Sequence, residues 1–313
     1  MAEDTPSATL QEYYKLINAG GNHYDIGRKM TDAFTEKLHR HFSSPVDATK
    51  LENATKSMEA VFAMHPVLRD ELQGIAEGIS IEFESMLVEI FDYAARPTRS
   101  MTVVTREGDS VVVGRSFSAS PDTFVRNLLR LDPNDSYASL GRMSGYFGGT
   151  WESIGVYGQF VCADILAGNQ RPRQGVAAYM VPRIVTESSK SIETAMDKLG
   201  SVTPMHDSAY VVADAKRAYA LTFENGKSIS REITSFPFVM VDGREVGHAG
   251  ALEGTEDMKS LMSDHKKGGC VHTADTETLY AMIVDMGSEL IEYTNGAPCS
   301  APYSSVDWPG GYG

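Results

Sequence analysis

Apolar residues recur every three or four positions through the first third of the chain. Ile26, Met30, Phe34 and Leu38 share one face of a helix predicted over Tyr24–Phe42. Leu51, Met58 and Val61 continue the pattern over Thr49–Met64. Leu68, Leu72, Ile75 and Ala76 do so after Pro66, a residue suited to a helix start. Phe83–Tyr93 is the last helix of this segment, and Leu10–Ala19 ahead of it reads as a turn or strand. Beyond residue 97, β-branched runs replace the helical period. Met101–Thr105 and Val111–Val113 flank Arg106-Glu107-Gly108-Asp109, a hairpin whose glycine supplies a positive-φ turn position. Ile154–Leu166 reads as an interrupted strand, and Pro182–Leu199 as a helix. Ala209–Ala213 and Ala218–Phe223 form a second hairpin around Asp214–Arg217. Phe236–Val241 is a further strand, Glu256–Met262 a short helix, and Thr278–Asp285 with Glu289–Tyr293 a last hairpin. Antiparallel hairpins with segregated helices imply an α+β layered fold rather than a doubly wound parallel sheet.

Composition narrows the function. The chain has 313 residues, long enough for two domains, yet no glycine-rich linker divides it. With 42% hydrophobic and 22% charged residues it is neither disordered nor fibrous. Lys and Arg number 28 against 42 Asp and Glu, a formal charge of −14 that argues against nucleic acid and anionic membrane as partners. Glu3 and Asp4 near the start, without an apolar stretch, predict no secretory leader. No apolar run reaches membrane-spanning length. The three cysteines, Cys162, Cys270 and Cys299, fit reduced thiols, and a cytoplasmic location is expected.

Local motifs add little. No dinucleotide or P-loop signature is present. Gly145-Tyr-Phe-Gly-Gly149 reads as a loop, or as a pocket lid whose lining would be Tyr146, Phe147 and Trp151. His39 and His41 lie two apart on a predicted helix and face apart, and Cys270-Val-His272 lacks partners at metal spacing, so neither a metal nor a cofactor is expected. The cysteines read as small core residues; the sharper alternative makes Cys270 a nucleophile beside His272.

Four stretches resemble the penicillin acyltransferase-like family of N-terminal-nucleophile hydrolases. They are Gly21-Asn-His-Tyr-Asp-Ile-Gly27, the segment His65–Gly78 with its Glu71-Leu-Gln-Gly-Ile-Ala-Glu-Gly78, the pair Gly114-Arg115 after Val113, and a C-terminal set of Gly269-Cys-Val-His272, Thr276–Asp285, Gly296–Ser300 and Tyr303. Together they span about residues 20 to 305. The resemblance implies a four-layer αββα sandwich with an N-terminal helical segment. It also implies a single domain made as a precursor that cuts itself, the freed residue becoming the nucleophile. It needs no metal or organic cofactor. The new α-amine, with an ordinary pKa of about 7.7–8.0, serves as base to its own side chain.

Thr98 occupies the place of the family's cysteine in Pro97-Thr98-Arg99-Ser100, and threonine with an N-terminal amine is a coherent nucleophile. Cleavage would give fragments 1–97 and 98–313. The plainer reading is a strand-start threonine favoured by β propensity. Ser100 is a second nucleophile candidate, and Arg115 and Asp214 match family positions, although Asp214 also suits a hairpin turn. The family's oxyanion-hole asparagine is replaced at Ser208 or Ala209, leaving Tyr157 or Tyr210 as possible hydroxyl donors. The implied substrate is an N-acyl small molecule, hydrolysed or used as acyl donor, and a homo-oligomer is possible. Two alternatives stay open: a catalytically silent relative used for ligand binding or assembly, and an uncut enzyme whose nucleophile is Cys162 or Cys270.

Overall fold

The computed structural model describes residues 16–32, 46–94, 98–120, 127–144, 147–166, 172–246, 252 and 254–310. Among them two sheets stack face to face, with helices on both outer sides.

The first sheet has eight strands in the order β1-β4-β5-β6-β7-β8-β9-β10. They are β1 Leu16–Gly21, β4 Leu128–Pro133, β5 Ser139–Ser144, β6 Gly149–Gly155, β7 Phe160–Ile165, β8 Ser208–Ala213, β9 Ala218–Glu224 and β10 Lys227–Glu232. Only β1 and β4 run parallel. The second sheet has seven, in the order β12-β11-β2-β3-β13-β14-β15. These are β2 Arg99–Glu107, β3 Ser110–Ala119, β11 Phe238–Val241, β12 Arg244–Glu245, β13 Glu277–Asp285, β14 Leu290–Thr294 and β15 Tyr303–Val306.

Strand alternation in β2 and β3 separates the layers. Val104 and Val113 point between the sheets, against Leu140, Ile154, Phe160 and Val211. Their neighbours Met101, Val103 and Val112 point outward, onto Met258, Leu261 and Met262 of the helix Thr255–Met262. On the far side of the eight-stranded sheet lie α1 (His23–Asp32), α2 (Ala48–Met64), α3 (Leu68–Gly78), α4 (Phe83–Tyr93), α5 (Val181–Glu187) and α6 (Ile192–Gly200). Their apolar faces meet Leu129, Leu131, Val161 and Val212. Counting the helix at Thr255–Met262 as α7, the order of layers is α-β-β-α, as expected.

Most elements stand where the apolar pattern places them, with instructive exceptions. The helix expected over Tyr24–Phe42 is described as α1 to Asp32, and its remainder lies outside the described residues. Of Leu10–Ala19 the described part enters β1. Ile154–Leu166 is not one strand: residues 156–159 turn the chain between β6 and β7, with Gly158 at φ 80°. Pro182–Leu199 is two helices, because Ser191 caps the second with its side chain and Thr194 returns the bond to the Ser191 backbone. The strand expected from Phe236 begins at Phe238, after Pro237, which has no N–H to give to the ladder.

The two N-terminal signature stretches form one helix crossing. Gly27 and Gly74 bring α1 and α3 backbone to backbone. A Cβ on Gly74 would stand 2.2 Å from the Tyr24 carbonyl oxygen, and one on Gly27 2.0 Å from that of Glu71. Neither neighbour is a side chain that swings away. Gly74→Ala is expected to cost about 1–3 kcal/mol by prising the helices apart, a loss readable in chemical unfolding.

A buried ion network lies in the same layer. The Arg183 guanidinium forks onto Glu71, Nη1 to Oε1 and Nη2 to Oε2, each at 2.6 Å. Its Nε donates to Glu187 Oε1 at 2.7 Å. His23 Nδ1 lies 2.9 Å from Glu71 Oε2, and His65 Nε2 lies 3.2 Å from Glu187 Oε2. Burial raises the pKa of Glu187, but the Arg183 charge and the His65 contact outweigh it and hold the carboxyl at about 2.

Candidate active site

Thr98 is half-buried and immediately precedes β2. It shares the parity of Ser100, Thr102 and Val104, the residues of β2 that face the space between the sheets. Ser100 is buried; its N–H donates to Asp242 Oδ1 at 2.9 Å and its Oγ donates to Asp164 Oδ1.

Arg115 is the centre of this end of the inter-sheet space. It sits opposite Thr102 in the β2–β3 ladder and is fully buried. Its Nη1 donates to Thr102 Oγ1 at 2.8 Å and its Nε to Glu152 Oε2 at 3.1 Å. Its Nη2 donates to the Ala163 carbonyl at 2.7 Å and to Asp164 Oδ1 at 2.8 Å. Burial opposes the charge on Arg115, yet Asp164, Cys162 and Glu152 outweigh it and set the pKa well above the ordinary value. Glu152 also accepts from the Tyr280 hydroxyl at 2.7 Å. Burial raises the Glu152 carboxyl above the usual range despite Arg115, Tyr280 and Arg142.

The second oxygens of these carboxylates, Asp164 Oδ2 and Glu152 Oε1, are buried and take no hydrogen bond among the described residues. Arg115→Lys keeps the charge but cannot bridge four acceptors. It is expected to cost about 1–3 kcal/mol, measured as a lowered unfolding midpoint.

An aromatic wall begins beside Ser100. Phe117 pairs with Ser100 across the ladder and stacks on Tyr280 with ring centroids 5.6 Å apart. Trp151 lies 5.2 Å from Phe117 and 5.9 Å from Tyr179. Tyr179 and Phe147 both meet Tyr93 edge-on. Trp151 and Phe147 are thus buried in an aromatic cluster, while Tyr146 lies outside the described residues.

The structure brings Thr98, Ser100 and Arg115 to one end and sends other expected residues elsewhere. Asp214 is in the β8–β9 turn, where its Oδ1 accepts from the N–H groups of Lys216 and Arg217 at 2.8 and 2.7 Å. That turn abuts the tip of the β2–β3 hairpin through Val111, the end remote from Thr98. Tyr157 is half exposed in the β6–β7 turn, also remote, and packs edge-on against Tyr137. Ser208 and Tyr210 lie near Asp164 along the strand, but Tyr210 belongs to the helix-facing core and meets Phe223 at 5.9 Å. Ser208 donates to the Tyr210 hydroxyl at 3.2 Å, so each supplies the other's partner. None of these three hydroxyls faces the Arg115 side of the sheet as an oxyanion donor. Two surface grooves, one along Arg231–Phe238 and one between α6 and the β9–β10 hairpin, do not touch Thr98, Ser100 or Arg115 either.

Sequence reasoning missed Asp164, Glu152, Thr102 and Tyr280. A signal existed for one of them: Asp164 is an acid inside the otherwise apolar strand Phe160–Ile165, which is costly without a buried cation beside it. The cysteines divide. Cys162 is buried 3.7 Å from Thr102 Oγ1, and burial pushes its thiol up to about 11 against the pull of Arg115. Cys270 does have metal-type partners after all. Its Sγ is 3.3 Å from His272 Nε2, which is 3.2 Å from Cys299 Sγ, with His265 beside them. The expectation that Cys270-Val-His272 lacks such partners fails because His265 lies five residues earlier on the same loop and Cys299 comes from a second loop, 27 residues after His272. Burial pushes the Cys270 thiol up to about 11 as well, so neither thiol is an activated nucleophile as it stands.

Among the described residues no helix is long and apolar enough to cross a membrane. No curated protein matches the chain in sequence. Among solved structures it is similar to a mutant conjugated bile acid hydrolase from Clostridium perfringens, at 9% identity and TM-score 0.44, over 66% of this chain and 92% of that one. It is also similar to a Caenorhabditis elegans ortholog of N-acylethanolamine-hydrolyzing acid amidase, at 10% identity and TM-score 0.43, over 60% and 93% of the two chains. In sequence, residues 104–240 match the model of the acyl-coenzyme A:6-aminopenicillanic acid acyl-transferase family.

Proposed function

We propose that this protein is an N-terminal-nucleophile amidase or acyltransferase whose nucleophile is Thr98. The observation that carries the reading is the placement of Thr98. It directly precedes β2, in phase with Ser100 and Thr102, at the end of the inter-sheet space that holds the buried Arg115–Asp164 pair. The family match over the strands that follow supports it.

In the precursor, Thr98 Oγ attacks the Pro97 carbonyl, and the peptide nitrogen leaves as the new α-amine. Water then hydrolyses the resulting ester, giving a Pro97 carboxylate and a free Thr98 amine and hydroxyl. In the mature protein the neutral α-amine accepts the Thr98 hydroxyl proton as Oγ attacks the carbonyl of an N-acyl small molecule. The ammonium returns that proton to the leaving amine, and the acyl group stays on Thr98 as an ester. Water, or an amine or thiol acceptor, releases it. Arg115 and Ser100 act here as positioning residues that fix the direction of β2 through Asp164. The alternative, a silent relative that binds a ligand, draws on the displacement of Ser208 and Tyr210 from this side of the sheet.

The discriminating experiment offers the purified protein a panel of N-acyl amides and follows amine release with a stoichiometric acyl adduct on Thr98 by mass spectrometry. Amine release with that adduct is the expected result. Turnover with the adduct on Cys162 or Cys270 would move the chemistry elsewhere, and binding without release would favour the silent relative.

A further inference from the structure

We propose that His265, Cys270, His272 and Cys299 form a tetrahedral zinc(II) site that clips two loops together at the end of the seven-stranded sheet. One ligand atom from each residue lies within 4.8 Å of all the others. The two Sγ-to-Nε2 separations at His272 are 3.3 and 3.2 Å. A zinc ion bound at about 2.3 Å to sulfur and about 2.0–2.1 Å to nitrogen sets tetrahedral ligand pairs roughly 3.5 Å apart. Two of the six ligand pairs therefore already stand near the separation of a closed Cys2His2 site, and all six lie within 4.8 Å. Two thiolates with two imidazoles select zinc over harder ions.

The supporting backbone is already fixed. His265 follows α7, and the Asp264 carbonyl accepts from the Gly269 N–H at 3.0 Å, closing the loop that carries His265 and Cys270. Val271 N–H donates to Thr278 Oγ1 at 2.7 Å, tying Cys270 and His272 to β13. Ser263 Oγ donates to the Pro298 carbonyl at 3.0 Å, and Ala301 N–H to that of Ala297 at 2.9 Å, holding Cys299 on the β14–β15 loop. His265, His272 and Cys299 are all exposed, and a metal would cross-link the two loops that carry them. The other histidine cluster, His23, His65 and Glu187, differs in kind, because Arg183 already provides its cation.

The start of β13 is also the Thr98 end of the sheet, since Thr278 pairs with Ser118, and Ser118 with Arg99. The site is nevertheless independent of Thr98 chemistry. The test exposes the full chain to zinc alone, removes unbound ion, and measures metal by mass spectrometry; cobalt(II) substitution reports the geometry. One zinc per chain is expected, with cobalt giving the strong visible bands of a tetrahedral thiolate site. Thr98→Ala should keep the zinc. Cys299→Ser, an exposed change that leaves the core intact, should weaken binding at least about tenfold, since loss of an outer partner alone costs that much. No retained zinc in the wild type, equal affinity in Cys299→Ser, or a Cys270–Cys299 disulfide in non-reduced peptides would each overturn the proposal.

Discussion

Thr98→Ala is expected to abolish both self-cleavage and amide hydrolysis, leaving a folded chain of unchanged length. The expected loss of turnover is at least about 10⁴-fold, the scale on which nucleophile removal acts in enzymes that work through an acyl intermediate. Alanine keeps the strand start and removes only the hydroxyl. Thr98→Ser retains a hydroxyl and should retain both reactions. Thr98→Cys should retain them too, and should become sensitive to thiol alkylation where the wild type is not. That contrast places the chemistry at position 98 without relying on loss of function. The pH profile carries a sign. With the neutral α-amine as the proposed base, activity should rise as pH climbs through its pKa, ordinarily about 7.7–8.0, and fall below it.

Arg183→Met is the largest expected change in stability. Arg183 is the shared cation of Glu71 and Glu187, both fully buried. Removing it leaves two buried carboxylates with the histidine contacts but no guanidinium, a cost of about 3–5 kcal/mol. The acid limb should change with it. Burial raises the Glu71 and Glu187 carboxyls, yet Arg183 with the histidines holds both below their ordinary values, Glu187 at about 2. A carboxyl depressed on folding stabilises the protein above its unfolded pKa. That contribution is lost as pH falls through the folded pKa. The wild type should therefore lose stability steeply between about pH 5 and 2, and Arg183→Met should lose less over the same range. Unfolding is best compared in a Thr98→Ala background, where separation of two fragments cannot contribute.

These two residues mark what the sequence makes legible. The helices and the three hairpins follow from apolar spacing, because burial on one face is a local pattern. The layer order is recoverable because Val103 and Val104 must serve different layers. The strands between residues 128 and 155 are not legible in that way. Arg130, Arg142, Glu152 and Ser153 are buried polar positions that break the alternation, and their partners lie on distant segments. The signature stretches are legible as motifs, but their physical role is not. Gly27, Gly74, His23, His65 and Glu71 meet in one helix crossing and one ion network, so they hold the helical layer rather than contact the β2 start.

The candidate site divides in the same manner. Thr98, Ser100 and Arg115 are close in the β2–β3 hairpin, so local spacing finds them. Asp164 and Glu152 come from the other sheet, and no sequence distance points to them. Asp214, Tyr157, Ser208 and Tyr210 fit by residue type alone; Asp214 and Tyr157 lie in turns at the end away from Thr98, and Ser208 and Tyr210 lie on the opposite face of the first sheet from Asp164. The four metal-type ligands are likewise drawn from two loops, α7–β13 and β14–β15, whose meeting depends on the path of the chain after α7.

The central claim is that Thr98 becomes an N-terminus. Intact mass under denaturing conditions, with N-terminal sequencing of each species, tests it most directly on freshly purified protein. Two chains are expected, residues 1–97 and 98–313, the second beginning at Thr98, and a single chain for Thr98→Ala. A single uncut chain in catalytically active protein, or a new N-terminus at any other residue, would contradict it.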